Sequence, residues 1–329
     1  MTNTTKLGAN GPEVLSIGLG CMGMSGMYGA TDDAESIRTI HAALERAPML
    51  IDTGDFYGMG HNEMLIGRAL AGGGRRERAV VSVKFGALRG PDGRWIGVDT
   101  RPAAVTTFAA YSLERLGVEV IDVYRPARLD PSVPIEETIG AIADLVKAGY
   151  VRHVGLSEVG VDTIRRAHAV HPIADLQIEY SLASRAPERA IFPALEELGI
   201  GATLYGVLSR GLLAGSKPTA PGDFRAHLPR FTGEAREKNE TVVDALRRFA
   251  QESGRTPGQL VIAWALAKQP RFVTLVGAKT RAQWDDALGA MEKPLSKDEL
   301  AALERIAPAS AFEGERYQPA QMAHLDSER

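Results

Sequence analysis

Short apolar runs and longer amphipathic segments alternate along this chain from about residue 14 onward. Several of the runs are apolar at nearly every position, which is typical of a parallel strand buried on both faces. Between the runs, apolar residues recur every three or four positions, as at Ile37, Ile40 and Leu44, and this spacing predicts helices with one buried face. The predicted strands cover residues 14–20, 49–56, 79–85, 118–127, 151–158, 174–181, 201–208 and 272–278.

Helix start signals agree with this alternation. Pro102 and Pro134 stand at the beginnings of two amphipathic segments, where a residue without an N–H group is tolerated. The second segment carries Ile135, Ile139 and Ile142 on one face. Eight strands that alternate with helices predict an α/β fold, a (β/α)8 TIM barrel. A doubly wound sheet is the alternative, but no G-x-G-x-x-G motif opens its first strand–helix turn.

Two segments depart from a plain barrel. Residues 5–14 contain the pair Asn10-Gly11, which suits the turn of a short hairpin that caps the barrel floor. Residues 209–238, after the seventh strand, are rich in Gly, Pro and Arg, and a loop of this length usually serves function. The chain has no repeats, low-complexity tracts or breaks in composition, so we expect residues 1–329 to form a single domain.

Composition excludes several classes of protein. The formal net charge of −3 argues against a chain devoted to binding nucleic acid or an anionic membrane. Cys21 is the single cysteine, which excludes an internal disulfide, and none of the seven histidines lies in a metal-binding motif. No apolar run is long enough to span a bilayer, and the N-terminus does not resemble a signal peptide. We expect a cytoplasmic protein without a metal.

Candidate chemistry lies at the carboxyl ends of two neighbouring strands, where barrel enzymes place their active sites. The second strand leads to Asp52 and Tyr57 in IDTGDFYG, and the third ends with Lys84 in VSVKFG. Each residue alone has an ordinary structural explanation, such as a loop cap or a half-buried core tyrosine. Together they predict a tyrosine acid, because a nearby ammonium lowers the pKa of the phenol while a carboxylate offsets the buried cation.

Six segments then resemble the aldo-keto reductase superfamily in order and spacing. They are IDTGDFYG, VSVKFG, VRHVGLSE, LQIEYS, LYGVLSRGLL and TLVGAKTRAQW. The similarity extends from KLGANGPEV near the N-terminus to QMAHLDSE near the end, and it is greatest to the branch that contains potassium-channel β subunits. The resemblance implies NADPH-dependent reduction of an aldehyde or ketone, a small-molecule carbonyl substrate, and a monomer or homo-oligomer.

The resemblance also implies roles for individual residues. Tyr57 would donate the proton, Lys84 would lower the pKa of Tyr57, and Asp52 would pair with Lys84. Ser157 and Gln177 would bind the nicotinamide carboxamide. The remaining residues implied in cofactor binding are Gly20, Cys21, Met22, Asp52, Tyr205 (stacked on the nicotinamide), Leu208, Arg210 and Gly211 (at the pyrophosphate), Gly277, Lys279, Arg281 and Gln283.

Charge gives a second indication about the cofactor. Lys279 and Arg281 stand where the last strand leads into a helix, and a helix N-terminus flanked by cations suits a ribose 2′-phosphate. This favours NADPH over NADH, although ordinary solvated charge is the alternative. Ala287 occupies a position where the family usually has asparagine near the adenine, so the contacts to the adenine are expected to differ.

The fourth strand departs from the family pattern. Ala127 occupies the position of the histidine that polarises the substrate carbonyl, in IDVYRPARLDP. Arg125 would extend a guanidinium toward the pocket, or it would pair with a deeper carboxylate, or it would be exposed on the other side of the strand. Alternatively, Ala127 simply enlarges the substrate pocket, and Arg128 is expected to pair with Asp130 in the loop. Two other functions stay open, a nicotinamide-binding regulatory module with little turnover and a Schiff-base lyase using Lys84.

Overall fold

The computed structural model describes residues 4–46, 48–218 and 223–328. Eight parallel strands close into a barrel with helices between them, which confirms the predicted (β/α)8 fold. The strands are β1 (Thr4–Lys6), β2 (Glu13–Leu15), β3 (Ile17–Gly20), β4 (Met49–Gly54), β5 (Ala79–Phe85), β6 (Ala87–Arg89), β7 (Trp95–Val98), β8 (Ile121–Pro126), β9 (Val151–Ser157), β10 (Ile173–Glu179), β11 (Gly201–Tyr205) and β12 (Val273–Gly277). Around the barrel the order is β10-β11-β12-β3-β4-β5-β8-β9.

The helices follow the strands as the sequence predicts. They are α1 (Asp33–Leu44), α2 (His61–Leu70), α3 (Pro102–Leu116), α4 (Ile135–Lys147), α5 (Val161–Val170), α6 (Ile191–Leu198), α7 (Gly233–Glu252), α8 (Pro257–Lys268), α9 (Arg281–Glu292), α10 (Lys297–Ile306) and α11 (Pro319–Met322). Pro102 is the first residue of α3, and Pro134 is the N-cap of α4, as expected from their fixed φ. Within the described residues no helix is long and apolar enough to cross a membrane.

Apart from shifts of a few residues at the ends of strands, three features differ from the sequence prediction. The predicted first strand, 14–20, is two strands, because Val14 and Leu15 belong to the N-terminal hairpin and only β3 joins the barrel. A second antiparallel hairpin, β6–β7, was not predicted. The predicted loop 209–238 is shorter, since α7 begins at Gly233, and its residues 219–222 lie outside the described part of the chain.

The N-terminal hairpin closes the barrel floor, as predicted. β1 pairs antiparallel with β2, and the connecting turn spans residues 7–12 rather than the Asn10-Gly11 pair alone. Leu7 enters the apolar cluster inside the barrel beside Leu50 and Val123. Gly8 lies so close to Gly201 that a Cβ on Gly201 would come within 2.5 Å of the Gly8 nitrogen, so both positions need glycine.

The barrel interior changes from apolar to polar toward the carboxyl ends of the strands. Alternate residues of a strand face inward, so Leu50 is followed by Asp52 on β4, and Val80 is followed by Ser82 and Lys84 on β5. The apolar layer, which includes Leu50 and Val80, is packed above the hairpin. The polar layer above it carries the groups that the sequence predicts to be functional.

Candidate active site

A buried acid, amine and phenol meet at the carboxyl ends of β4 and β5. Lys84 donates from Nζ to Oδ2 of Asp52 at 2.6 Å, and the two side chains are 4% and 3% exposed. The same ammonium lies 5.1 Å from the ring centroid of Tyr57, which is 8% exposed. The structure therefore brings together the three residues that the sequence placed at neighbouring strand ends.

Asp52 is held by three donors. Besides the Lys84 ammonium, Oδ1 of Asp52 accepts hydrogen bonds from the Ser82 hydroxyl at 3.2 Å and from Nε2 of Gln177 at 2.7 Å. Gln177, expected from the resemblance to face a nicotinamide amide, is thus tied to the same carboxylate. These bonds orient both oxygens of Asp52, which satisfies a charged group in an almost dry environment.

The pKa of Tyr57 differs from the sequence prediction. Burial and the negative charge of Asp52 raise the pKa of the phenol well above its ordinary value, and Arg128 is the nearby cation that lowers it. The pKa of Tyr57 is thus raised overall, whereas the sequence led us to expect a lowered value, and the role of Lys84 toward the phenol stays a prediction. Lys84 itself is buried, which lowers its pKa, while Asp52 opposes that shift. The consequence is a phenol that keeps its proton until a base forms beside it.

A network of neutral groups positions the segment that follows β3. Asn62 donates to the carbonyl of Cys21 and to the Ser25 hydroxyl, both at 2.8 Å, and accepts from the Thr53 hydroxyl at 2.7 Å. Met22 begins the short 3₁₀ helix Met22–Ser25 held in this way. Cys21 is fully buried and its thiol pKa is raised, chiefly by burial, so it has no nucleophilic character.

The residues expected at the far end of the cofactor lie at β3, β12 and the start of α9. Gly20 and Gly277 face each other across paired strands, and a Cβ on Gly20 would come 3.6 Å from Cα of Gly277. Lys279 donates from Nζ to the carbonyls of residues 28 and 30, while its backbone N–H donates to Gln283. Arg281 begins α9, and its backbone N–H donates to a carboxylate oxygen of Glu35 at 2.9 Å.

The segment after β11 turns sharply. Arg210 has a φ of 55°, in the left-handed region that non-glycine residues seldom adopt, and Gly211 follows at 91°. The turn, which follows Leu208, aims the Arg210 guanidinium at Glu179, 3.0 Å away, and over the ring of Tyr317 at 4.4 Å. The loop predicted to bind a pyrophosphate is thus fixed by an ion pair to the barrel.

The C-terminal segment covers one side of the barrel mouth. Glu158, just beyond Ser157, accepts from the Tyr205 hydroxyl at 2.8 Å and from two nitrogens of Arg316 at 3.0 and 2.7 Å. Burial by itself would raise the pKa of Glu158, but the Arg316 guanidinium outweighs this effect, and the pKa falls to about 2. The hydroxyls of Tyr205 and Tyr317 lie 3.4 Å apart. The sequence analysis missed Glu158, Arg316 and Tyr317, and no local pattern marks the two tail residues.

The structure answers the question about Arg125. Its guanidinium is completely buried and forms an ion pair with Asp175 at 3.0 Å, one layer below the mouth. Gly155 makes room for the pair, because a Cβ there would approach both side chains within about 3.2 Å. The structure shows the ion pair with a deeper carboxylate, one of the three alternatives, so Arg125 does not replace the histidine that is missing at Ala127.

Arg128 does not form the predicted pair with Asp130. The Asp130 carboxylate accepts instead from the backbone and hydroxyl of Ser132, at 2.9 and 2.6 Å. Arg128 donates to the carbonyl of Ala127 at 2.6 Å. Its charge acts on Tyr57, Tyr205 and Glu158, and the residue is only partly exposed.

Two cavities lie away from the buried triad. One, of about 150 Å³, is lined by the ion-pair network under the C-terminal segment, including Glu179, Arg230 and Arg316. Another, of about 1220 Å³, is an open groove on the outside of the barrel beside α2. In the described residues, no cluster of side chains has the composition of a metal site.

Comparison with known proteins extends these observations. Residues 16–308 match the model of the aldo/keto reductase family. The chain is 39% identical over 320 residues to the Glycine max protein named "Probable aldo-keto reductase 1", covering 95% of this chain and 91% of that protein. Its fold is similar to a glycerol dehydrogenase of Gluconobacter oxydans, with a TM-score of 0.84, 29% identity and coverage of 95% and 98%.

A second solved structure is the holo form of an aldo-keto reductase from Bacillus halodurans. It has a TM-score of 0.76 and 27% identity, and the match covers 96% of this chain and all of that one. In each case the similarity spans nearly the whole barrel.

Proposed function

Since the chain belongs to the aldo/keto reductase family, and is therefore an oxidoreductase that uses a nicotinamide cofactor, we propose that it reduces an aldehyde or ketone with NADPH. Residues 1–329 act as one domain in this proposal. We also propose that the chain belongs to the branch that contains potassium-channel β subunits, since its relatives identify the family but not the branch.

One observation supports this function above the others. The proton of Tyr57 is held in a nearly dry site beside a buried ammonium–carboxylate pair, Lys84 and Asp52. A purely structural ion pair would not need a phenol beside it. A phenol with a raised pKa stays protonated over the whole physiological range and can donate to an alkoxide, which is a far stronger base.

The residues at the strand ends fit a nicotinamide dinucleotide. Gly20 and Gly277 leave a cradle that a Cβ would narrow, so a flat or extended group can approach the backbone there. Lys279 and Arg281 stand at the N-terminus of α9, where an anion is favoured. Ser157, Gln177 and Tyr205 lie at the ends of adjacent strands and would hold the nicotinamide, and Leu208, Arg210 and Gly211 would hold the pyrophosphate.

Each group of the site has its own role in the proposed reaction. When bound, the reduced nicotinamide supplies the hydride that is added to the carbonyl carbon. Tyr57 holds a proton at Oη for the oxygen that becomes negative. Lys84, fixed by Asp52, places a positive charge behind the ring of Tyr57 and stabilises the phenolate left after the proton has moved. The low exposure of all three groups excludes water and strengthens these interactions.

Ala127 provides no hydrogen-bond donor to the reacting oxygen. A donor of that kind contributes about 2.7–4 kcal/mol to transition-state stabilisation in other enzymes. Its absence lowers the expected rate without removing the proton donor, so turnover remains the leading function. Ala127 is also the observation that favours the second candidate, a nicotinamide-binding regulatory module with little turnover.

The test is NADPH oxidation, followed optically, with a panel of aldehydes and ketones. We expect Tyr57→Phe to lower kcat by about 10²–10⁴-fold, because the phenol acts as a general acid, while the Kd for NADPH changes little. Tyr111→Phe is the matched control, since Tyr111 is 56% exposed on α3. Tight NADPH binding without turnover would favour the regulatory module, and equal loss of binding and rate in Tyr57→Phe would refute the assigned role.

A further inference from the structure

Some of the cationic side chains around the barrel mouth have a carboxylate partner, and others do not. Lys84, Arg210 and Arg316 each contact a buried carboxylate, and Arg230 lies beside Glu179. Two further guanidinium groups lack such a partner. Among the described residues, no carboxylate lies within ion-pair distance of Arg128 or Arg89.

The hydrogen bonds made by these two arginines do not neutralise them. Arg128 donates to the Ala127 carbonyl at 2.6 Å, and Arg89 donates to the Gly93 carbonyl at 3.1 Å. Both side chains are partly buried. The more distant Glu158 carboxylate acts electrostatically on Arg128. A guanidinium keeps its proton under physiological conditions, so both side chains are charged. Each acts electrostatically on Tyr57.

Position in the barrel separates Arg128 from the proposed cofactor phosphates. Arg128 follows β8, which is four strands away from β12 in either direction around the closed barrel. Lys279 and Arg281, proposed to hold the 2′-phosphate, follow β12 and therefore stand on the opposite side of the mouth. Arg128 therefore lies on the side of the mouth away from the proposed phosphate contacts, and its charge acts on Tyr57.

Arg89 lies on the same side, beside two aromatic rings that form a wall. It ends β6, directly after the strand that carries Lys84, and its guanidinium lies 5.9 Å from the ring centroids of both Phe56 and Trp95. Trp95 is 38% exposed at the rim. Ala127, which precedes Arg128, is 2% exposed, and its side chain is a single methyl group.

We propose that the substrate of this enzyme is a carbonyl compound bearing a carboxylate, which Arg128 binds with Arg89 as a second, outer cation. The proposal rests on the reductase function proposed above and specifies its substrate class. A guanidinium matches a carboxylate with two parallel hydrogen bonds, and a partly desolvated site strengthens them. Binding through Arg128 also orients the carbonyl toward Tyr57, a task that no side chain at position 127 performs.

The experiment compares two aldehydes of nearly the same shape, 4-carboxybenzaldehyde and 4-carbamoylbenzaldehyde. We expect kcat/KM of the wild-type protein to be at least about tenfold higher for the acid than for the neutral amide. Arg128→Met is expected to remove that preference mainly through KM, because a distant carboxylate is bound equally in the ground and transition states. Because the Arg128 charge also acts on Tyr57, the rate on the amide is the reference, and the preference is taken as the ratio of the two kcat/KM values.

Further variants separate charge from general disruption. Arg128→Lys keeps the charge but not the two-pronged geometry, so we expect it to retain part of the preference. Arg89→Met should reduce the preference less than Arg128→Met. Arg165→Met is the matched control, since Arg165 pairs with Glu197 on the exposed surface of α5. If Arg128→Met fails to fold, the same comparison is made with Arg128→Lys and Arg89→Met.

A binding measurement is independent of turnover. Benzoate and its neutral counterpart benzamide are titrated calorimetrically into the protein with NADP⁺. Tighter binding of benzoate that is lost in Arg128→Met supports the proposal even if neither aldehyde is reduced, in which case the reductase function alone fails. Equal kcat/KM for the two aldehydes, or a benzoate affinity unchanged by Arg128→Met, would overturn the carboxylate site and leave the reductase function standing.

Discussion

Removal of the Lys84 ammonium tests the buried pair at the centre of the site. Lys84→Met keeps most of the side-chain length and leaves the Asp52 carboxylate, 3% exposed, without its ionic partner. Breaking a buried pair from one side costs about 3–5 kcal/mol in other proteins. Because Ser82 and Gln177 still donate to Asp52, we expect the lower end, a loss of about 3 kcal/mol in the free energy of unfolding.

The double variant Lys84→Met/Asp52→Asn provides the decisive comparison. An asparagine at position 52 keeps an acceptor for Gln177 and no longer places a charge in the dry interior. We therefore expect the double variant to be about 1–2 kcal/mol more stable than Lys84→Met alone, because an unpaired buried charge is worse than none. Both variants should be inactive, so stability and activity will not change in parallel.

The assay is urea unfolding, followed by far-UV circular dichroism and by tryptophan fluorescence, with the buried Trp264 and Trp284 as reporters. If the two transitions do not coincide, midpoints are compared instead of free energies. Arg165→Met, which breaks an exposed pair with Glu197, serves as the control and should cost at most about 1 kcal/mol. A Lys84→Met loss below 1 kcal/mol, or a double variant less stable than the single one, would refute this reasoning.

Three further predictions concern separate parts of the molecule. Burial raises the pKa of Asp55 from 3.8 to about 7, so ionisation of this carboxyl makes the fold less stable as the pH rises from about 4 to 7. Asp55→Asn should remove this pH dependence, and we expect urea unfolding to show a gain in stability of roughly 2 kcal/mol at pH 8 and no gain at pH 4. The upper limit of the gain is about 4 kcal/mol, from about 1.36 kcal/mol per pKa unit. Glu35→Gln should strengthen NADPH binding about two- to fivefold relative to NADH, because the carboxylate beside the Arg281 N–H competes with a 2′-phosphate; equal effects on both cofactors in fluorescence titrations would contradict this. Ala127→His should raise kcat on small neutral aldehydes if the missing donor limits the rate, and a lower kcat would show that the pocket requires alanine.

The sequence was sufficient to predict the architecture because its information is local and periodic. Buried parallel strands are apolar on both faces, and β5 and β10 are buried at every position, as their sequences indicate. Boundaries were less accurate where two different pairings share one apolar run. Val14 pairs with Thr5 in the hairpin while Ile17 pairs with Thr274 in the barrel, and no local property of residues 14–20 separates them.

The central part of the candidate site was also predictable, since topology converts sequence position into proximity. The carboxyl ends of parallel strands open at one end of a barrel, so Asp52 and Lys84 on neighbouring strands had to approach each other. The positions of the strand ends do not specify the protonation states of the side chains. The pKa of Tyr57 is raised because burial and Asp52 outweigh the cations, and both depend on distances that exist only in the folded chain.

Long-range contacts were decided by the tertiary structure alone. Arg316 contacts Glu158, 158 positions away in sequence, and Tyr317 contacts Tyr205, 112 positions away. No local pattern in the C-terminal segment predicts these two contacts. Arg125 and Arg128 are three residues apart, yet Arg125 forms a buried ion pair with Asp175, whereas Arg128 has no carboxylate within ion-pair distance in the described part of the chain. Hydrophobic periodicity determines which elements form, because burial of apolar surface is a property of local sequence. The partners of a charged side chain depend on which distant groups the closed barrel brings within a few ångströms of it.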